Sequence, residues 1–108
     1  MKQFYTVVLD RFKNFEGTYA TEPYECGWAD EAIAFFTVHE LDAGSSVKVK
    51  IQISEDGIHW IDDGKELNGI EKEGYYLLKS DSNFGGWMRI VFVSTGKITI
   101  TPSLALKG

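Results

Sequence analysis

The sequence predicts an all-β fold, an antiparallel β-sandwich of seven to eight short strands in a jelly-roll-like order. Apolar and polar residues alternate with the period of a pleated strand rather than that of a helix, most clearly in Val47-Lys48-Val49-Lys50-Ile51-Gln52-Ile53. Clusters of Gly, Asn, Asp and Ser recur at the roughly ten-residue spacing of a sandwich. Aromatic and β-branched residues fill the stretches between them.

Taken in order, Phe4 to Leu9 reads as the first strand. Asn14 to Gly17 is turn-rich, and Thr18 to Thr21 reads as a short strand after it. Glu31 to Leu41 admits two readings. Ala32, Ala34, Phe36 and Val38 alternate as in a strand, whereas Asp30 would cap a helix through Ala32 and Ala34. The β-forming run Phe35-Phe36-Thr37-Val38 favours the strand.

After a turn at Asp42 to Ser46 comes the alternating run ending at Ile53, and Asp56-Gly57 suits the positive φ angles of a two-residue hairpin. That register pairs Glu55 with Ile58, Ser54 with His59 and Ile53 with Trp60, so Ile51, Ile53, Ile58 and Trp60 form a core face. Asp62 to Gly64 is a further turn, Gly74 to Lys79 a further strand, and Ser80 to Gly86 another turn. Met88 to Val93 and Lys97 to Thr101 flank Ser94-Thr95-Gly96 as a second hairpin, with Val91 opposite Ile100 and Val93 opposite Ile98. Pro102 has no N–H to donate, so Ser103 to Leu106 is expected at an edge or beyond a bulge.

The length of 108 residues, 44% of them hydrophobic and 25% charged, fits one domain spanning 1–108 with one core. The formal net charge of −5 and the scatter of the basic residues disfavour nucleic acid and anionic membranes as partners. No apolar run approaches the ~20 residues of a spanning helix. The N-terminal residues lack the pattern of a signal peptide, which predicts a chain made and kept in the cytoplasm. Cys26 is the single cysteine, so an internal disulfide cannot form, and it reads as a buried packing residue.

Catalytic chemistry finds little support. The two histidines, His39 and His59, have no second His or carboxylate at the spacing of a helical metal motif. Ser54, His59 and an acid can be drawn together across the first hairpin, but an exposed turn offers neither an oxyanion hole nor exclusion of water. Glu55, Asp56, Asp62 and Asp63 match no calcium loop and read as turn caps. The expectation is a protein that is not an enzyme and has no cofactor and no metal site. Aromatics make up 14% of the chain, more than a core of this size takes in. Tyr19, Tyr24, Trp28, Tyr75, Tyr76 and Trp87 are therefore the candidate interface or ligand patch.

The run from Val49 through Ser54-Glu55-Asp56-Gly57 to Trp60 resembles the strand, Ser-x-Asp-Gly turn and Trp of two groups. One is the short β-sandwich proteins encoded among the virion genes of tailed phages. In these a similar segment precedes an aromatic-Gly stretch and strands like Trp87 to Val93 and Gly96 to Thr101. The other, a weaker resemblance, is the discoidin-like carbohydrate-binding domains. The first resemblance implies a virion-associated or capsid-decorating structural protein that forms a homo-oligomer and docks on a capsid or other virion component. The second implies an alternative, a glycan-binding module with exposed Tyr and Trp platforms.

Overall fold

The computed structural model describes residues 3–80 and 85–108. It contains eight strands and, among the described residues, no helix: β1 (Phe4–Val8), β2 (Lys13–Ala20), β3 (Tyr24–Glu25), β4 (Glu31–Leu41), β5 (Val47–Ser54), β6 (Ile61–Ile70), β7 (Gly74–Lys79) and β8 (Trp87–Lys107). All pairings are antiparallel. The segment 31–41 is strand, as its β-forming residues favour, and Ala32, Ala34, Phe36 and Val38 are all buried.

The organising element is β8, which serves both layers of the sandwich. Its first half pairs with β5, from Ser54↔Trp87 to Val47↔Ser94, and on its other side with β3 and the end of β2. Its second half pairs with β4, from Leu41↔Ile98 to Glu31↔Lys107, and on its other side with β1 and the start of β2. One layer thus runs β6-β5-β8-β2 and β3; the other runs β7-β4-β8-β1. Met88, Ile90, Phe92, Ile98, Ile100, Leu104 and Leu106 share one phase of β8 and are all buried between the layers. Phe36 of β4 meets Phe92 edge to face at 5.3 Å, joining the two layers at the centre of the core.

The second hairpin of the sequence reading is not formed. β8 runs unbroken through Ser94-Thr95-Gly96, and these residues mark the corner where it passes from one layer to the other. Ser94 Oγ accepts the Gly96 N–H and donates to the Gly96 carbonyl, giving the bend its local support. The β4–β5 connection braces it: Asp42 N–H donates to the Lys97 carbonyl, Lys97 N–H to Asp42 Oδ2, and Thr95 N–H to the Ser46 carbonyl. Gly96 suits this close approach, because a Cβ there would meet Ser45 Oγ and make it turn away.

Pro102 likewise lies inside β8, between β1 and β4, not at an edge or past a bulge of its own strand. Leu9 N–H donates to its carbonyl, and in an antiparallel strand a residue's N–H and carbonyl point the same way. The missing N–H therefore faces the β1 side, where the reciprocal bond to the Leu9 carbonyl cannot form and β1 ends at Val8.

The first hairpin is also wider than the Asp56-Gly57 register. Ile53 pairs with Ile61, not Trp60, and residues 55–60 form the loop between β5 and β6. Gly57 does have a positive φ of 79°. Ile58 is 74% exposed and Trp60 is half-buried on the outer surface, so neither joins Ile51 in the core. Two other expected turns lie within strands: Asn14 to Gly17 falls in β2, and Asp62 to Gly64 in β6. Both strands are bulged there, with Gly17 and Gly64 at φ 85° and 94°. Of the turn expected at Ser80 to Gly86, residues 81–84 lie outside the described residues.

Candidate functional site

The outer faces of the two layers differ in chemistry. On the β6-β5-β8 layer the outward phase carries Lys48, Lys50 and Gln52 beside Glu66, Asp62 and Arg89. Lys48 pairs with Glu66 at 3.5 Å and Lys50 with Asp62 at 3.3 Å. Gln52 Nε2 donates to Asp62 Oδ1, and Arg89 Nε donates to Gln52 Oε1. The Gln52 bond, then Lys50, hold the Asp62 carboxyl below its ordinary range. The Arg89 guanidinium also lies 4.5 Å from the Trp60 ring centroid, which explains why Trp60 stays at the surface: its face is covered by a cation rather than by the core. This is a solvated, internally neutralised face.

The outer face of the β7-β4-β8-β1 layer is apolar and aromatic. Cross-strand neighbours share a face, and the register sets Tyr75 beside Thr37, Leu77 beside Phe35 and Ser103, and Ala105 between Ile33 and Thr6. Tyr75 is 70% exposed and stacks on Phe35, centroids 5.6 Å apart and planes 15° apart. Leu77 and Val8 are exposed, and Phe4, at the far corner, is 66% exposed with the Lys107 ammonium 5.8 Å from its ring. Glu31 and Lys79 pair loosely at 3.8 Å along one margin.

Phe12 and His39 complete the face beside Thr101. Phe12 takes a left-handed backbone, φ 48°, an uncommon state for an aromatic residue, and its N–H donates to Thr101 Oγ1. Its exposed ring stacks on His39 at 4.4 Å, while His39 Nε2 is 2.7 Å from the same Thr101 oxygen. The bulge in β4 between Val38 and Glu40 places His39 there.

The six aromatic residues singled out in the sequence are spread over the molecule. Tyr75 lies in this face, and Trp28 lies against Gly108, next to the Lys107 that covers Phe4. Tyr76 turns inward onto Phe36, with its hydroxyl donating to the Lys72 carbonyl. Tyr19 packs on Phe15 and Phe92, and its hydroxyl donates to Asp10. Burial, then this bond, push the Tyr19 hydroxyl far up its pKa range, while the same bond lowers Asp10. Tyr24 stacks with Tyr5 where β3 and β1 flank the opening between the layers. Trp87 packs over Gly57. The sequence reading did not include Phe4, Phe12, Phe35 or Leu77 in the patch; the signal was present in β4, where Ile33 and Phe35 occupy the phase opposite to the core residues.

Ser54, Asp56 and His59 do come together, as a turn cap. Ser54 Oγ donates to Asp56 Oδ1 and accepts the N–H groups of Asp56 and Gly57. Asp56 Oδ1 accepts the N–H groups of Ile58 and His59, and its Oδ2 lies 2.7 Å from His59 Nδ1. The serine proton is directed to the acid, not to the imidazole, so this is not the relay in which histidine activates a hydroxyl. Asp63 caps Lys65 N–H and accepts from Ser80. Cys26 is buried, and burial, then Glu25, raise its thiol pKa to about 11. Among the described residues no cluster of three or more His, Cys, Asp or Glu is placed to hold a metal ion.

Compared by sequence, the chain matches no family and no curated relative. Compared by structure, it is similar to the SPBc2 prophage-derived protein YomS, with a TM-score of 0.63 at 9% identity, covering 100% of this chain and 96% of that one. It is similar to the PBSX exported protein XepA, with a TM-score of 0.69 at 8% identity over 94% of this chain and 36% of that one. It is also similar to the VP2 subviral particle protein of infectious bursal disease virus, with a TM-score of 0.68 at 12% identity. The chain spans about a third of the length of that viral protein, 33%. A family 29 carbohydrate-binding module from Piromyces equi is less similar, with a TM-score of 0.52 at 10% identity, covering 94% of this chain and 90% of that one. The chain thus has the β-sandwich fold found in this prophage-derived protein, in this exported protein and in a protein of a viral particle.

Proposed function

We propose that this chain is a non-catalytic structural or accessory protein of a virion, a capsid-decorating or otherwise particle-associated sandwich that self-associates and docks on a larger assembly. The observation that carries the reading is the asymmetry of the two outer faces: one is a network of neutralised charge, the other presents Phe4, Phe12, Phe35, Tyr75 and Leu77. Four strands about 4.8 Å apart and roughly 15 Å long give a face of about 300 Å², in the range of the largest patch on a typical monomer, which is often functional. The left-handed backbone of Phe12 supports the reading, because it stations a large ring toward solvent. The overall charge of −5 opposes non-specific clustering and leaves partner choice to the aromatic face. The fold shared with prophage and capsid sandwiches is consistent with assembly in a host cytoplasm.

Sedimentation of the chain alone and with its native particle tests this. The expected result is self-association and co-sedimentation, both lost in Phe35→Ser/Tyr75→Ser. A second reading, a glycan-binding module, is favoured by the flat Phe35–Tyr75 stack, which suits a sugar face. A strict monomer that ignores particles and is retained on glycans would establish it in place of the first.

A further inference from the structure

We infer that β7 is the edge through which a second copy of this chain adds to the sheet, antiparallel and about a two-fold axis at Tyr76. This deepens the self-association reading and rests on it. Among the described residues, β7 ends the strand order and pairs only with β4. Ser80 N–H donates to the Ala32 carbonyl, so the even-numbered residues of β7 direct their backbone groups at β4, and those of Tyr75 and Leu77 point outward.

The two edges on this side of the sandwich are defended differently. β6 carries Asp62, Asp63, Lys65 and Glu66 and is broken by bulges and by positive-φ glycines at 64 and 69, the devices that prevent edge pairing. β7 opens on Gly74, at φ 156°, and then reads Tyr75-Tyr76-Leu77-Leu78, uncharged until Lys79 and without a bulge. At the other edge of the layer, β1 has no charge to set a register, and its Tyr5 stacks across onto Tyr24.

Pairing about Tyr76 keeps inward phase beside inward phase. It sets Tyr75 against Leu77 of the partner subunit, extending the aromatic face across the axis, and Glu73 against Lys79 of the partner subunit. The outward backbone groups then meet outward groups, and the acid and the ammonium meet twice, once on each side of the axis.

Sedimentation equilibrium of the whole chain tests the inference with three variants. Leu77→Pro removes an outward N–H along with one side chain of the face, takes no hydrogen bond from β4, and should melt as a folded domain yet run as a monomer. Glu73→Lys should weaken the dimer roughly threefold to tenfold, and Glu73→Lys/Lys79→Glu should restore it. Dimers that survive Leu77→Pro, or a double variant no tighter than Glu73→Lys, would overturn the pairing and leave self-association through the face standing. A ring larger than a dimer would also overturn it, as would a monomeric wild type that pellets with particles. A wild type that neither self-associates nor pellets removes both this inference and the function proposed above.

Discussion

Trp87 packs over Gly57, its Cδ2 3.3 Å from the point where a side chain at position 57 would begin. Gly57 also has a φ of 79°, so substitution there meets two penalties, backbone strain and the indole. Gly17 and Gly64 have similar φ angles but open space around the missing Cβ. Gly57→Ala should therefore cost about 1 to 2 kcal/mol, more than Gly17→Ala or Gly64→Ala, which carry strain alone. Thermal melts of the three variants decide it: equal losses would show that Trp87 adds nothing.

Gly96 touches the β4–β5 connection at Ser45, where a methyl group would displace the serine hydroxyl and crowd the Asp42 side chain. Gly96→Ala should destabilise by about 1 to 3 kcal/mol, and Ser45→Gly in the same chain should recover part of the loss. Additive losses in the double-mutant cycle would mean that the corner of β8 does not depend on this approach.

Trp60 illustrates how far the sequence could be read. Strand identity in Val47 to Ile53 follows from alternation, and the positive φ of Gly57 from the Asp-Gly pair, but loop length depends on caps that alternation does not reveal. Ser54 and Asp56 hold four N–H groups and widen the loop, which carries Trp60 past Ile53. The long β8 was misread at Ser94-Thr95-Gly96 because a sheet-switching corner uses the same small residues as a turn. The unbroken phase from Met88 through Phe92 to Ile98 and Leu106 is the signal of one strand. The aromatic face was legible only at Tyr75, because exposure of the second phase of β4 depends on which layer has no third one above it.

From these placements, Phe92→Ala should cost on the order of 3 to 5 kcal/mol, since Phe92 is fully buried against Phe15, Tyr19 and Phe36. Trp60→Ala, which forfeits a surface contact with Arg89, should cost about 1 kcal/mol. Chemical denaturation ranks them, and a Trp60 loss as large as that of Phe92 would return Trp60 to the core.

The Asp56–His59 pair should be visible in pH titration. The His59 N–H, then its ring, hold the Asp56 carboxyl far below its usual range, and Asp56 in turn raises His59 above its ordinary 6.5. A lowered acid stabilises above the unfolded pKa of about 3.9, and that contribution fades as pH falls through the folded value. A raised histidine stabilises below about 6.5, and its contribution fades as pH rises through the folded value. The loop should be most firmly tied between roughly pH 4 and 6.5. NMR should find His59 titrating above 6.5 in the wild type and near 6.5 in Asp56→Asn; identical curves would dissolve the pair.

The face that would meet a partner is separable from the fold. Tyr75 is exposed and stacks on Phe35, so Tyr75→Ser removes a ring from the surface without opening the core, and a melt within about 0.5 kcal/mol of wild type is expected. Lys50→Ser on the opposite face breaks an exposed ion pair and should be equally mild. The two should diverge in association: Tyr75→Ser loses the large aromatic contact that interfaces concentrate their energy in, whereas Lys50→Ser leaves the aromatic face intact. Measuring self-association and particle binding for both, at matched stability, assigns the surface. Equal binding by the two variants would show that the aromatic face is not where this protein meets its partners, and loss confined to Lys50→Ser would move the interface to the charged layer.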